Sequence, residues 1–186
     1  MRRKERRHEA RAEELEAHYV PAEVEKEEGE SERRLFLLQI VQPGLAGLMD
    51  GSVSTLAPLF AAAFATRETW PTFLVGLAAA IGAGISMGFA EALSDNGSLT
   101  GRGSPWARGL VCGAMTALGG LGHTLPFLVP SFTVAITIAA AVVVVELAVI
   151  SWIRNRYMDT PLLSAAFQVV VGGVLVFATG VAIGSG

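Results

Sequence analysis

Beyond residue 34 the 186-residue chain runs in long apolar stretches broken by short polar turns. Each stretch approaches the ~20 residues that carry a helix across a bilayer. The pattern predicts five spans, over residues 43–66, 72–94, 109–129, 132–153 and 161–184. Trp70-Pro71 makes the first turn, and Pro126 and Pro130 close the third span. Residues 35–41 are apolar and predicted to lie at the membrane interface before Pro43 redirects the chain. The longest connection, residues 95–108, holds Asn96-Gly97, Gly101, Gly103 and Pro105 and therefore reads as a loop. The predicted fold class is an all-α membrane protein with five transmembrane helices and a charged cytoplasmic N-terminal helix and linker. The expected domains are a tail, 1–34, and a membrane domain, 35–186.

Composition sharpens that division. Residues 1–34 hold 9 of the 14 Lys and Arg and 11 of the 17 Asp and Glu. The net charge of −3, at 52% hydrophobic residues and mean hydropathy +0.49, thus averages a polar tail with an apolar body. Residues 1–19 are predicted to be helical, and 22–32, rich in glutamate, to be a solvated linker. Glu5 and His8 have the E-x-x-H spacing of carboxylate metal sites, but in a charge run that spacing reads first as a solvated face. No short apolar core with a cleavage site marks a signal peptide. Cys112 is the one cysteine, so no internal disulfide is possible and a packed apolar role is expected. No basic stripe with interleaved aromatics supports nucleic-acid binding.

The short flanks predict orientation. Arg33, Arg34, Arg102, Arg108, Arg154 and Arg156 fall on one side of the five spans and Arg67 alone on the other. This places the N-terminus in the cytoplasm and the C-terminus outside, in a multi-pass protein of the cytoplasmic membrane.

Within so apolar a body the few polar groups are candidate chemistry, because an intramembrane carboxylate must be paired, hydrated or bound to a cation. Met87, Glu91 and Asp95 recur every fourth residue and share one helical face. A thioether beside carboxylates suits Fe²⁺ or Mn²⁺. Asp50 lies in the first span, Met115 in the third, Glu146 in the fourth and Gln168 in the fifth. At ~1.5 Å per residue these and Met87 fall in one layer, roughly 9–12 Å from the cytoplasmic helix ends. The candidate metal set is therefore Asp50, Met87, Glu91, Glu146 and Met115. Ser52, Ser54 and Thr55 are placed to line the path, and Pro58 to loosen the helix beyond it. Glu146, among four valines and a leucine, needs a cation, a proton or a donor from another helix. His123 suits an exit ligand, a proton relay or a hydrogen-bonded structural role. Gly47 and Gly51, Ala80 and Gly84, and Gly109 and Gly113 have the spacing of close helix packing.

Asp50-Gly51, the run Ser86-Met87-Gly88-Phe89-Ala90-Glu91 and the glycine-rich third span resemble the vacuolar iron transporter family, over about residues 42–186. Ala90 and Ala92 stand where that family's pattern has glycine and tyrosine. The body is most similar to the transporter half of membrane-bound ferritins. The resemblance implies a homodimer that moves Fe²⁺ or Mn²⁺ out of the cytoplasm in exchange for protons, with Asp50 and Met87 carrying metal. Two parts of the pattern are missing: a metal-binding helical domain between spans two and three, and a ferritin-like domain in residues 1–34. The expected function is metal export by proton antiport, with the metal as substrate and no permanently bound cofactor. The alternative is a non-transporting structural membrane subunit whose buried polar groups hold helices together. An enzyme is not expected, since no nucleophile–base pair or metal-hydrolase motif is present.

Overall fold

A computed structural model describes residues 22–157 and 161–186. The predicted helix over 1–19, with Glu5 and His8, lies outside them. The chain divides into two compact units, Met1–Leu37 and Leu38–Gly186. In the first, the expected acidic linker is instead a helix, α1 (Ala22–Phe36), ending in Arg33 and Arg34. Basic side chains in a last turn offset the partial negative charge of the exposed carbonyls there. Leu37–Val41 is π-helical.

The second unit is built of α2 (Gln42–Ser54), α3 (Leu56–Thr66), α4 (Thr69–Ser94), α5 (Pro105–Gly122), α6 (Phe132–Tyr157) and α7 (Leu162–Ser185). Four helical stretches are long and apolar enough to cross a membrane, and Val170–Ser185 within α7 adds a shorter apolar one. No strand occurs among the described residues. The fold is all-α.

Two predicted spans are interrupted. The first is broken at Thr55 into α2 and α3. Pro58 supplies the reason: it has no N–H for the Ser54 carbonyl and its ring crowds that carbonyl. The third span ends as an α-helix at Gly122, short of the expected residue 129. It continues after a turn as a 3₁₀ segment, Leu125–Leu128, with Pro126 in its first turn. At the other turn α4 starts earlier than expected, at Thr69, and Arg67 takes the left-handed conformation (φ 55°) that closes α3.

Between helices in lipid the hydrophobic effect offers little, so close packing must hold the bundle. α5 is clasped from two sides. A Cβ on Gly47 or Gly51 of α2 would strike the Cys112 or Thr116 carbonyl of α5. On another face of α5, Gly109 and Gly113 meet Gly88, Ala92 and Gly84 of α4. The small-residue spacings read from the sequence are thus packing seams. Leu45 of α2 packs on Ile150 of α6 beside Leu48, Met49, Leu147 and Ile153. Around α3 lies the largest apolar cluster, Leu56, Leu59, Phe60 and Ala63 with Phe127, Ala135 and Ala139. Phe60 there meets Phe177 of α7 edge to face, centroids 4.7 Å apart.

Candidate functional site

The polar groups of the membrane body fall into three places rather than one layer. The first is Asp50. It lies on α2 between Ala46 and Ser54, one turn away on either side, and both of those are exposed while Asp50 is half-buried. Ser54 Oγ donates to its Oδ2 at 3.4 Å. Gly47 and Gly51 turn toward α5 and Leu45 toward α6, and Asp50 lies on the stripe of the helix that also carries Ala46 and Ser54. Met87 is half-buried on α4, a helix that packs against α5 through Gly84 and Gly88. Met115 of α5 lies beside Gly44 of α2. Among the described residues no group of three or more His, Cys, Asp and Glu side chains is arranged to hold a metal.

The second place is the α4–α5 connection, where Glu91 and Asp95 meet arginines instead of facing Asp50. Glu91 Oε1 accepts from Arg102 Nη2 at 2.8 Å and from Arg108 Nε at 2.9 Å. Arg102 Nη1 reaches Asp95 Oδ2 at 2.9 Å. Arg108 is fully buried. Besides Glu91, its guanidinium donates to the carbonyls of Asp95, Arg102 and Gly103 and lies 3.3 Å from Asp95 Oδ2. Five acceptors surround its five N–H groups, so a buried guanidinium is held without an unmet donor. Gly97, at φ 75°, brings the loop so close that a Cβ would strike the Gly103 carbonyl. Partial burial of the Asp95 carboxyl works to raise its pKa. Hydrogen bonds from Gly97 N, Thr100 and Arg102, with the Arg108 charge, outweigh that and hold it below the usual aspartate range. Expected as a metal ligand, Glu91 instead has its charge matched by two arginines, which disfavour a cation there.

Glu146 forms the third. Its Oε2 lies 3.0 Å from Nδ1 of His123, a fully buried residue just past the end of α5. His123 Nε2 lies 2.8 Å from Thr55 Oγ1, at the break between α2 and α3. The Thr55 hydroxyl donates to the Gly51 carbonyl at 2.7 Å. Glycine at 122 makes room, since a Cβ there would collide with Glu146 Oε1. Glu146 is therefore drawn to a residue eight positions beyond Met115, roughly 12 Å further along α5, instead of sharing its level. The side chain of Gln168 lies outside those described.

The sequence offered a route to this third site. A glutamate deep in an apolar helix requires a donor, and His123 is the one histidine outside the tail. Thr55 was legible only as a lining hydroxyl, because its contact depends on the helix break. Nothing in the pattern singled out Arg108, a flanking arginine, for burial.

A search against family descriptions matches residues 93–185 to the VIT family, half of the chain. No curated protein sequence and no solved structure matches significantly. The matched segment runs from the last turn of α4 through α5, α6 and α7, starting two residues after Glu91. It includes both His123 and Glu146, while Asp50 and Met87 stand before it. The protein is a multi-pass membrane protein belonging to the VIT (vacuolar iron transporter) family, a family of metal-ion transporters.

Proposed function

We propose that the protein exports Fe²⁺ or Mn²⁺ from the cytoplasm in exchange for protons, with Asp50 and Met87 as the groups that carry the metal. The observation behind this reading is Asp50 itself. A half-buried carboxylate on a membrane helix, with one serine hydroxyl at 3.4 Å, costs about 3 kcal/mol if it faces hydrocarbon. It also sits just before a proline-induced break, the kind of interrupted helix that transporters use at ion sites.

The cost is relieved if a second copy covers the stripe formed by Ala46, Asp50 and Ser54. The working unit is then a homodimer with a hydrated path between its two first spans. Ser54 and the thioether of Met87 suit such a path, and a soft sulfur beside hard oxygen favours Fe²⁺ or Mn²⁺ over Ca²⁺. Six arginines on one side of the spans against one on the other support a cytoplasmic N-terminus. Met115, Glu91 and Glu146 belong to neighbouring parts of the bundle and support the path without lining the metal.

Metal flux into sealed vesicles carrying the purified protein tests this. Wild type should move Fe²⁺ and Mn²⁺ with an opposing proton movement. Asp50→Ala should lower the flux at least tenfold while the protein elutes and melts as wild type. Undiminished flux in that variant removes Asp50 from the mechanism. The pairing of Glu91 and Glu146 with internal partners favours the other reading, a structural subunit, and a wild-type protein that moves no metal would establish it.

A further inference from the structure

The geometry points to the Thr55–His123–Glu146 chain as the proton-carrying site of the exchange, tied to the metal-bearing helix through the Gly51 carbonyl. This rests on the exchange reading above and gives its proton a place.

Proton counting carries the argument. A threonine hydroxyl has one hydrogen, and that of Thr55 is given to the Gly51 carbonyl. The 2.8 Å contact with His123 then requires Nε2 to be the donor. With Nε2 protonated, the 3.0 Å contact between Nδ1 and Glu146 Oε2 needs one further proton, on the ring or on the carboxyl. Either way the pair is neutral overall, which suits its depth: Glu146 lies midway along the 26-residue α6.

Loss of that proton changes the contacts. The carboxylate must then accept from Nδ1–H, which leaves Nε2 bare and able only to accept. The Thr55 hydroxyl turns from the Gly51 carbonyl to Nε2. That carbonyl is at the helix break, and the amide of Thr55, its ordinary helical partner, is directed to the Val53 carbonyl instead. Deprotonation therefore removes a hydrogen bond from the residue next to Asp50, and reprotonation restores it. The proton leaves as an O–H or N–H proton through Glu146, whose side chain keeps 14% exposure while His123 has none, to a water admitted during the exchange. No other bond is made or broken.

The helices packed around the pair bring few other charged groups. α3, α7 and the Leu125–Leu128 segment carry no charged residue. The charged groups of α4 and α5, Glu91 and Arg108, are paired at the opposite end of those helices. On α6 the remaining charges, Arg154 and Arg156, are in the last turn. α2 contributes only Asp50, five residues before Thr55. Ser52 Oγ, fully buried and the one buried side-chain oxygen or nitrogen without a hydrogen-bond partner among the described residues, packs against Gly119, one turn before His123. It offers a further polar station along the same seam.

The test uses full-length protein in vesicles with an internal pH dye, reading Mn²⁺ entry and proton movement together, and calorimetry for Mn²⁺ binding. Glu146→Gln and Thr55→Val should lower the number of protons moved per metal at least fivefold and flatten the pH profile of the flux. Mn²⁺ affinity should change less than twofold, and Thr55→Ser, which keeps the hydroxyl, should retain the wild-type ratio. Should Glu146→Gln fail to fold, Thr55→Val and Thr55→Ser carry the comparison. A wild-type proton-to-metal ratio in Thr55→Val or Glu146→Gln overturns the assignment while leaving metal transport standing. Wild-type protein that moves no metal overturns the exchange reading, and this inference with it.

Discussion

Buried ionic side chains in this protein come with their partners, and Arg108 shows the cost of separating them. It is enclosed completely and surrounded by acceptors. Arg108→Ala would strand Glu91 in a part-buried position and leave several loop carbonyls short of a donor. Removing one side of a buried pair costs about 3–5 kcal/mol. Arg108→Ala is therefore expected to lower the melting temperature of the detergent-solubilised protein markedly, whereas Arg102→Ala, at a more exposed position, should cost about 1 kcal/mol or less. Equal losses in the two variants would mean that burial is not what distinguishes them. Asp95 adds a pH dependence whose sign follows from its depressed pKa. Its contribution to loop stability is present above the ordinary aspartate range and is lost as pH falls through the lower folded value. Asp95→Asn should remove that acid-side decline, as followed by proteolysis of the 95–104 loop at graded pH.

At the scale of the helix, the break in the first span and the glycine seams are the features that place chemistry. Pro58 interrupts the ladder beyond Ser54, at the turn where the Thr55 hydroxyl meets His123. Pro58→Ala is expected to draw α2 and α3 toward one continuous helix and to weaken the contact with His123. The check is proton movement per metal, which should fall while the helical circular dichroism stays the same or rises. The α2–α5 seam has no room for a side chain at Gly51, because the obstacle is the Thr116 backbone. Gly51→Val should therefore cost about 3 kcal/mol in resistance to denaturing detergent. Gly82→Val, where a Cβ meets nothing within 4 Å, should cost little. These seams were legible as i, i+4 pairs of small residues. Which seam faced which helix was not, since periodicity fixes a face and not its neighbour.

For the whole molecule, the exposed stripe of α2 is what a single chain leaves unfinished. If a second copy covers it, cysteines placed at Ala46 or Ser54 should form an intermolecular disulfide in native membranes, and a cysteine at Leu110, on the exposed side of α5, should not. Cys112 is buried and should not compete. Efficient crosslinking at Leu110 with none at Ala46 would move the dimer interface elsewhere and leave Asp50 unexplained.

The order of apolar runs and turns along the chain was enough to establish an all-α membrane body. Bilayer thickness sets the length of a span, and backbone groups in lipid must be bonded within their own helix. It also showed that Asp50, Met87, His123 and Glu146 stand where polar groups are costly. Tertiary structure alone decided their partners. Glu146 was separated from the level of Met115 and joined to His123, Glu91 was given to two arginines, and Asp50 was left half-buried beside Ser54. The reason is physical: a sequence records how far along its own helix a side chain lies, whereas hydrogen bonds form across helices. Rotation, tilt and local breaks of only a few ångströms determine which groups meet.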